Sequence, residues 1–164
     1  MTAANKQILC RHFEEVLNQG RLAVIDEIYS DAYVLDAPVQ TDGSAQAHGQ
    51  TLGRDGLKRR VTLFRTAFPD IHFTLNDMVA ENDRVVVQYT FAGTHTGTFR
   101  ELEPTGRSIS VMGILIAQVV DGRIQSAVSV FDSGDMMHQL APHHKSTVQI
   151  FLDHLFDRVR DVLS

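Results

Sequence analysis

One carboxylate stands at the end of the most apolar part of the sequence. Asp132 follows the run I-Q-S-A-V-S-V-F, which returns from the run V-M-G-I-L-I-A-Q-V-V after Asp121–Gly122. Burial among apolar side chains raises the pKa of a carboxyl group and makes it a better base. Asp132 is therefore the first candidate for acid/base chemistry. The alternative is structural, because Asp is a preferred helix N-cap and a short helix could begin after it.

Four other polar side chains could belong to such a site. His95 shares its strand parity with Tyr89 and lies where that strand should end, so its ring could polarise a carbonyl or fix the next loop. Tyr89 could donate to a substrate oxygen or be a satisfied core tyrosine. Gln118 is a polar residue within an apolar strand. Asp36 could reach the site from a neighbouring strand, and its D-A-P sequence is equally good turn chemistry.

Hydrophobic periodicity predicts the elements that would position these residues. Helical spacing predicts helices over 3–18, 22–30 and 55–68, with a strand at 33–35. The composition of 36–53 predicts a long loop. From Ile71 the period changes to two, with Tyr89 and Phe91 on one buried face and a turn at Asn82–Asp83. Strands over 107–120 and from Arg123 complete an α+β layout, with helices on one face of a mainly antiparallel sheet.

A two-residue turn at Asp121–Gly122 would fix the register of the last two strands. Counting back from it pairs Val111 with Asp132 and Leu115 with Val128. We therefore expect an apolar substrate-binding wall that ends at the acid, Asp132. The residues of this wall are Tyr89, Phe91, Val111, Leu115, Val128 and Val130. A bulge in either strand would exchange the two faces. Because the other face of the sheet is also apolar, we expect a second layer of protein to pack against it.

Composition limits the classes of function. The 164 residues, 43% hydrophobic, suit one globular domain, and the net charge of -5 argues against nucleic-acid and membrane-surface partners. The sequence has a single cysteine, no apolar span of membrane length and no recognisable signal peptide. These features predict a soluble, cytoplasmic protein. The histidines and the single cysteine do not follow the spacing of a metal site, so we expect no bound metal. The sequence has no glycine-rich phosphate-binding loop, so we expect no cofactor.

Several short motifs resemble those of the SnoaL-like polyketide cyclases, over roughly Lys6 to Leu140. They are F-P-D-I-H-F at 68–73, G-T-H-T-G at 93–97, P-T-G-R at 104–107, D-G-R-I at 121–124 and the F-D…Q-L pattern ending at 140. The resemblance implies the cone-shaped fold of the nuclear transport factor 2 superfamily, with helices on the concave face of a curved sheet. It also implies cofactor-free intramolecular aldol closure with an aspartate as acid and base. Asp132 matches that aspartate.

The resemblance leaves more than one function open. Many relatives carry an E-H-W-like cluster where this chain has Ser126–Val128, so the cavity should be larger and more apolar. We expect a cyclase or isomerase, of the lyase or isomerase class, that acts on a hydrophobic polyketide-like or terpenoid carbonyl compound. The alternatives are a non-catalytic pocket protein or scaffold, and an epoxide-hydrolase-like enzyme, which would need two carboxylates and an arginine.

The C-terminal segment lies beyond the resemblance. Residues 1–141 are predicted to form the domain, and 142–164 a linker and an amphipathic helix whose apolar residues recur at alternating spacings of four and three. This helix could pack on its own domain or join two copies through the apolar outer face of the sheet. We expect a homodimer or a higher homo-oligomer.

Overall fold

The computed structural model of the chain describes residues 2–37, 50–99 and 101–141. Its N-terminal part is helical: α1 spans Thr2–Arg11, a π-helical segment spans His12–Asn18, and α2 spans Ala23–Ile28. The apolar stripe of α1 and the π-helical segment is buried, as the periodicity predicts, and Gly20 leaves the helix with a φ of 69°. The π-helical geometry was not predicted from the sequence.

The sheet has six strands in the order β2-β1-β6-β5-β4-β3. The strands are β1 (Tyr29–Ala37), β2 (Gln50–Leu52), β3 (His72–Glu81), β4 (Arg84–Thr94), β5 (Ser108–Val120) and β6 (Arg123–Phe131). Only the β1–β6 pair is parallel among these described strands, so the sheet is mixed and mainly antiparallel. Helix α3 spans Arg54–Ala67, and α4 spans Ser133–Leu140 after the last strand. This is the predicted α+β fold with a curved sheet.

Alternation along the strands separates an inner from an outer face. On β4 and β5 the side chains of Val85, Val87, Tyr89, Phe91, Val111, Leu115 and Ala117 are buried, as the period-two pattern predicts. The intervening side chains of β5 are exposed, and Met112 keeps 53% of its surface. The helices α1 and α3 contact strands of this sheet and supply its first cover. The outer face is uncovered in the described part of the single chain.

The register of the last hairpin differs from the predicted one. Asp121 and Gly122 both have positive φ, as a type I′ turn requires, and Val120 pairs with Arg123 as expected. Between the pairs Val119–Ile124 and Gln118–Ser126, however, one extra residue of β6 has no partner. This bulge shifts every later pair by one residue and exchanges the faces of β6. Leu115 therefore pairs with Ser129 rather than Val128, and the predicted register is wrong beyond the Val119–Ile124 pair.

Two other predictions need a boundary correction. The predicted loop over 36–53 contains strand residues near both of its ends. Asp36 and Ala37 belong to β1, and Gln50–Leu52 form β2. Residues 38–49 lie outside the described residues, as does the predicted C-terminal helix after 141. Within the described ranges, no helix is both long and apolar enough to cross a membrane.

Candidate functional site

A cavity of about 80 Å³ opens between the helices and the inner face of the sheet. Aromatic rings form most of its wall and contact one another edge-on, tilted or stacked, for example Phe91 and Phe131 edge-on with ring centroids 5.3 Å apart. Its polar lining consists of His12, Tyr29, Tyr33, Arg60, Arg65, Tyr89 and Ser129. An apolar cavity with a few converging polar groups is the usual form of a small-molecule site.

His12 and Tyr29 form a buried hydrogen-bonded pair in this cavity. The Tyr29 hydroxyl lies 2.8 Å from His12 Nδ1, and the two residues keep only 2% and 5% of their surface, Tyr29 the smaller share. Burial lowers the pKa of His12 to about 3, so the imidazole is neutral at physiological pH. Burial raises the pKa of Tyr29 well above its usual range, so its hydroxyl stays protonated.

Tyr89 and Ser129 form a second polar pair. Their hydroxyl oxygens lie 3.2 Å apart and join the inner faces of β4 and β6. Burial raises the pKa of Tyr89, and the hydrogen bond with Ser129 partly offsets this rise. Tyr33 is a third neutral phenol, whose pKa is also raised by burial. These groups can donate hydrogen bonds to a bound oxygen without adding charge.

Two arginines give the cavity its only formal charges among the described lining side chains. Arg65 Nη1 donates to the carbonyl oxygens of Leu17 and Asn18, at 3.0 and 2.8 Å, and thereby caps the π-helical segment. Arg60 lies over the Phe64 ring, with its guanidinium carbon 5.9 Å from the centroid. The described lining contains no carboxylate or cysteine. The cavity is therefore suited to a neutral or anionic ligand.

Asp132 lies outside this cavity. Its side chain is exposed, and the Asp135 backbone N–H donates to its Oδ1 at 2.8 Å, so the carboxylate caps α4. The local geometry therefore agrees with the alternative that Asp132 is a helix N-cap. The expected burial against Val128 and Val130 is wrong, because the bulge turns both valines outward with 39% and 50% of their surface exposed.

His95 is fully buried but is not part of the cavity wall. The Thr105 backbone N–H donates to its Nδ1 at 3.2 Å, and its ring packs on Phe68 with centroids 5.1 Å apart. Its Nε2 is buried and has no hydrogen-bond partner among the described residues, and burial lowers the pKa of the ring. The geometry matches the loop-fixing alternative rather than a position at the cavity mouth.

The predicted substrate-binding residues divide between the two faces. Tyr89, Phe91 and Leu115 line the cavity as expected. Val111 is buried on the inner face but is not among the lining residues. Gln118 lies on the outer face, where its Nε2 donates to Asp83 Oδ2 at 2.6 Å. The backbone of Asp36 pairs with Thr51 and Val128, and its side chain lies outside the described part.

The described residues offer no ligand set for a metal ion. Among them, no group of three histidine, cysteine, aspartate or glutamate side chains lies close enough to hold one. Structural zinc sites need four such ligands, and catalytic zinc sites usually have three. The chemistry that these residues can perform is hydrogen-bond donation by neutral groups inside an apolar enclosure.

Comparison with models of protein families identifies the family of this chain. The model of the SnoaL-like polyketide cyclases matches residues 7–140. The chain belongs to this family. IdmH from Streptomyces antibioticus, a candidate polyketide cyclase, is 28% identical with a TM-score of 0.72, covering 83% of this chain and 97% of its own. A candidate polyketide cyclase from Acidithiobacillus ferrooxidans is 27% identical, with a TM-score of 0.70 and coverage of 84% and 94%.

A more distant structure shares the fold. AclR from Streptomyces galilaeus, a candidate hydroxylase, is 22% identical with a TM-score of 0.72, covering 90% of this chain and 93% of its own. The comparison with curated proteins gave no match. The family model and the solved structures establish the family and the fold of this SnoaL-like chain.

Sequence reasoning missed most polar residues of this SnoaL-like cavity. His12 carried a usable signal, because it stands on the apolar helical stripe, three residues after Leu9 and four before Val16. Tyr29 and Tyr33 were likewise visible as two tyrosines four residues apart at a predicted helix-to-strand transition. Ser129 could not be found, because its inward position depends on the bulge.

Proposed function

We propose that the chain is a cofactor-independent cyclase or isomerase that acts on a hydrophobic, polyketide-like or terpenoid carbonyl compound bound in the cavity. The observation that carries this proposal is the combination of aromatic walls with neutral hydroxyl and imidazole groups. Membership of the SnoaL-like polyketide cyclase family supports the same class of reaction.

The chemistry begins with loss of a proton from the carbon next to a carbonyl group. In a 1,3-dicarbonyl compound this carbon is acidic, so its proton can pass to solvent water while the electrons of the C–H bond form the enolate. Hydrogen-bond donors fixed in a water-poor site stabilise the developing negative charge on oxygen. Ring closure then joins the enolate carbon to a second carbonyl carbon, whose oxygen takes up a proton. The His12–Tyr29 and Tyr89–Ser129 pairs supply donors for two such oxygens.

The proposal predicts exchange of acidic carbon-bound protons in the cavity. Benzoylacetone, a small aromatic 1,3-diketone, is a suitable probe, and exchange of its methylene protons in D2O is followed by NMR. We expect the protein to accelerate this exchange well above the buffer rate. Ser129→Phe should abolish the acceleration by filling the cavity.

The matched control is the neighbouring residue on the other face. Val130→Phe adds the same side chain on the exposed surface and should retain the wild-type exchange rate. Circular dichroism and thermal melting establish that both variants are folded. Equal loss in both folded variants, or no acceleration by the wild-type protein, would contradict the proposal.

A second candidate is a non-catalytic binding protein for an apolar carbonyl compound. The described lining contains no carboxylate, and such a cavity could bind a ligand without transferring protons. This candidate predicts that benzoylacetone binds, as measured by ligand-observed NMR, without faster exchange. The epoxide-hydrolase-like alternative is not favoured, because the described lining has arginines but lacks the two acids that it needs.

A further inference from the structure

We propose that His12, held by Tyr29, is the catalytic residue that donates a hydrogen bond from Nε2 to the substrate carbonyl oxygen and stabilises the enolate. This inference rests on the proposed function, because it names the group that acts in the same cavity. It assigns the reaction to a neutral electrophile on the N-terminal helical region rather than to a carboxylate at the end of β6.

The hydrogen bond to Tyr29 determines which nitrogen is available. Tyr29 Oη contacts Nδ1 at 2.8 Å, so Nε2 is the ring nitrogen that remains for a bound molecule. We assign the protonated Tyr29 hydroxyl as the donor to Nδ1, and a neutral imidazole whose Nδ1 accepts carries its proton on Nε2. His12 is one of the residues that line the cavity, and the proposal directs its Nε2–H group at the bound oxygen.

The surroundings keep His12 neutral and favour an anion beside it. Removal from water lowers its pKa to about 3, and no interaction with an acid opposes that shift. Among the described residues, the other titratable groups that line the same cavity are the phenols of Tyr29, Tyr33 and Tyr89 and the guanidinium groups of Arg60 and Arg65. None of these carries negative charge at neutral pH, so an enolate would be the first anion in the cavity. Neutral histidine is an established electrophile of this kind in triosephosphate isomerase.

The backbone gives His12 a fixed position. His12 is the first residue of the π-helical segment, and π-helical turns occur frequently at functional sites. Its ring packs edge-on against Phe13 and Tyr29, with centroids 5.1 and 5.7 Å away. Phe13 in turn contacts the Tyr89 ring at 5.2 Å. These contacts pre-organise the imidazole, which is the condition for electrostatic stabilisation without reorganisation.

Substitutions at His12 test its role directly, with benzoylacetone as the probe and the full chain as the enzyme. We expect His12→Phe to lower the maximal exchange rate about 100-fold with little change in KM, as for loss of one oxyanion donor. His12→Gln keeps a donor near the Nε2 position and should recover part of this loss. The wild-type rate should show no inflection near pH 6.5, because His12 does not titrate there.

Tyr29 acts through His12 and is a positioning residue. Tyr29→Phe should lower the exchange rate about 10-fold in the wild-type background and should have little further effect in His12→Phe, because coupled residues are not additive. Additive losses would overturn the positioning role. A histidine-labelled sample provides a readout independent of turnover: 15N NMR should show His12 as the neutral Nε2–H tautomer between pH 5 and 8, with an Nε2 shift when benzoylacetone binds.

The outcomes separate this inference from the proposed function. If the wild-type protein accelerates exchange and Ser129→Phe abolishes it, but folded His12→Phe keeps the wild-type rate, the role of His12 is overturned and the cavity function stands. If the 15N spectra show an Nδ1–H tautomer or ordinary titration near pH 6.5, the role of His12 is likewise overturned. Absence of acceleration by the wild-type protein overturns both proposals.

Discussion

The two faces of β6 show how one residue changes the chemistry that a strand can present. On the inner face, Ser129 and Phe131 line a cavity whose described walls contain no acid. On the outer face, Val128 and Val130 are exposed, and the chain continues to the exposed helix cap Asp132. The unpaired residue at the bulge decides which set faces inward. An acid at the end of an apolar strand is therefore a candidate base only if the register buries it.

The comparison also separates two ways to stabilise charge. The Asp132 carboxylate is exposed to solvent and accepts a hydrogen bond from a backbone donor at the start of α4. A substrate oxygen in the cavity would instead meet neutral donors whose pKa values are displaced by burial. We therefore expect variants of the inner residues to alter both stability and catalysis, and variants of the outer residues to alter local stability or association alone.

The largest effect should be on the pH dependence of stability. The folded-state pKa of His12 is lowered to about 3, whereas its unfolded value is near 6.5, so the unfolded chain binds one more proton between these values. The free energy of unfolding should therefore fall with decreasing pH, by about 3 kcal/mol for His12 between pH 7 and pH 4. Urea denaturation of wild type and His12→Gln at several pH values isolates this contribution.

The surface histidine provides the matched control for that measurement. His138 is exposed on α4, so His138→Gln is the same substitution made at an exposed histidine. If His12→Gln and wild type lose stability in parallel as the pH falls, the neutral state of buried His12 is contradicted.

A smaller effect is expected from crowding the inner face of β5. A Cβ atom at Gly113 would lie 2.5 Å from Cζ and Oη of the buried Tyr89 ring, so Gly113→Ala must displace that ring. We expect a loss of about 2 kcal/mol of stability, typical of overpacking, and disruption of the Tyr89–Ser129 contact. Ile114→Val, the next residue on the outer side, should cost less than about 0.5 kcal/mol. Equal effects in urea denaturation would contradict the assignment of faces.

The helix cap should contribute less again. Asp132→Ala removes the acceptor for the Asp135 N–H and should cost about 1 kcal/mol. Asp132→Asn keeps a good N-cap residue and should cost only a few tenths of a kcal/mol. Asn has nearly the same shape as Asp and keeps a side-chain oxygen acceptor, whereas Ala has none, so urea denaturation of the pair tests the cap. Similar losses in both would indicate that the carboxylate charge, and not the cap, is required.

The smallest effect on the stability of one chain is expected on the outer face, where we predict contact between two copies. Val130→Lys should change the free energy of unfolding of the chain by no more than about 0.5 kcal/mol, because the side chain is half exposed. It should, however, convert a homodimer into a monomer in light scattering, by burying a charge in the contact. Leu63→Lys, on α3 with 37% exposure and away from the outer face of the sheet, is the control that should leave the assembly unchanged. A wild-type monomer would contradict the expected homodimer.

Local patterns were sufficient for most of the fold. The alternation of Val85, Val87, Tyr89 and Phe91 reports burial on one face directly, and the Asp121–Gly122 turn follows from residues that tolerate positive φ. The predicted helix over 55–68 agrees with Arg54–Ala67 because its apolar stripe and Pro69 are local signals.

The residues of the candidate site were harder to predict from the sequence, for two physical reasons. The bulge in β6 carries no glycine or proline, so nothing local marks the shift that turns Ser129 inward and Val128 outward. The cavity also combines side chains from the π-helical segment, β1, α3 and four further strands, and their convergence is a property of the whole fold. His12 is the exception, since a histidine on an apolar helical stripe is itself a signal.

The most direct test compares His12→Phe with Asp132→Asn in the benzoylacetone exchange assay, using folded protein at pH 7. We expect about 100-fold slower exchange for His12→Phe and a rate within about two-fold of wild type for Asp132→Asn. The reverse result, with exchange abolished by Asp132→Asn and unchanged by His12→Phe, would contradict this expectation and return the chemistry to the end of β6.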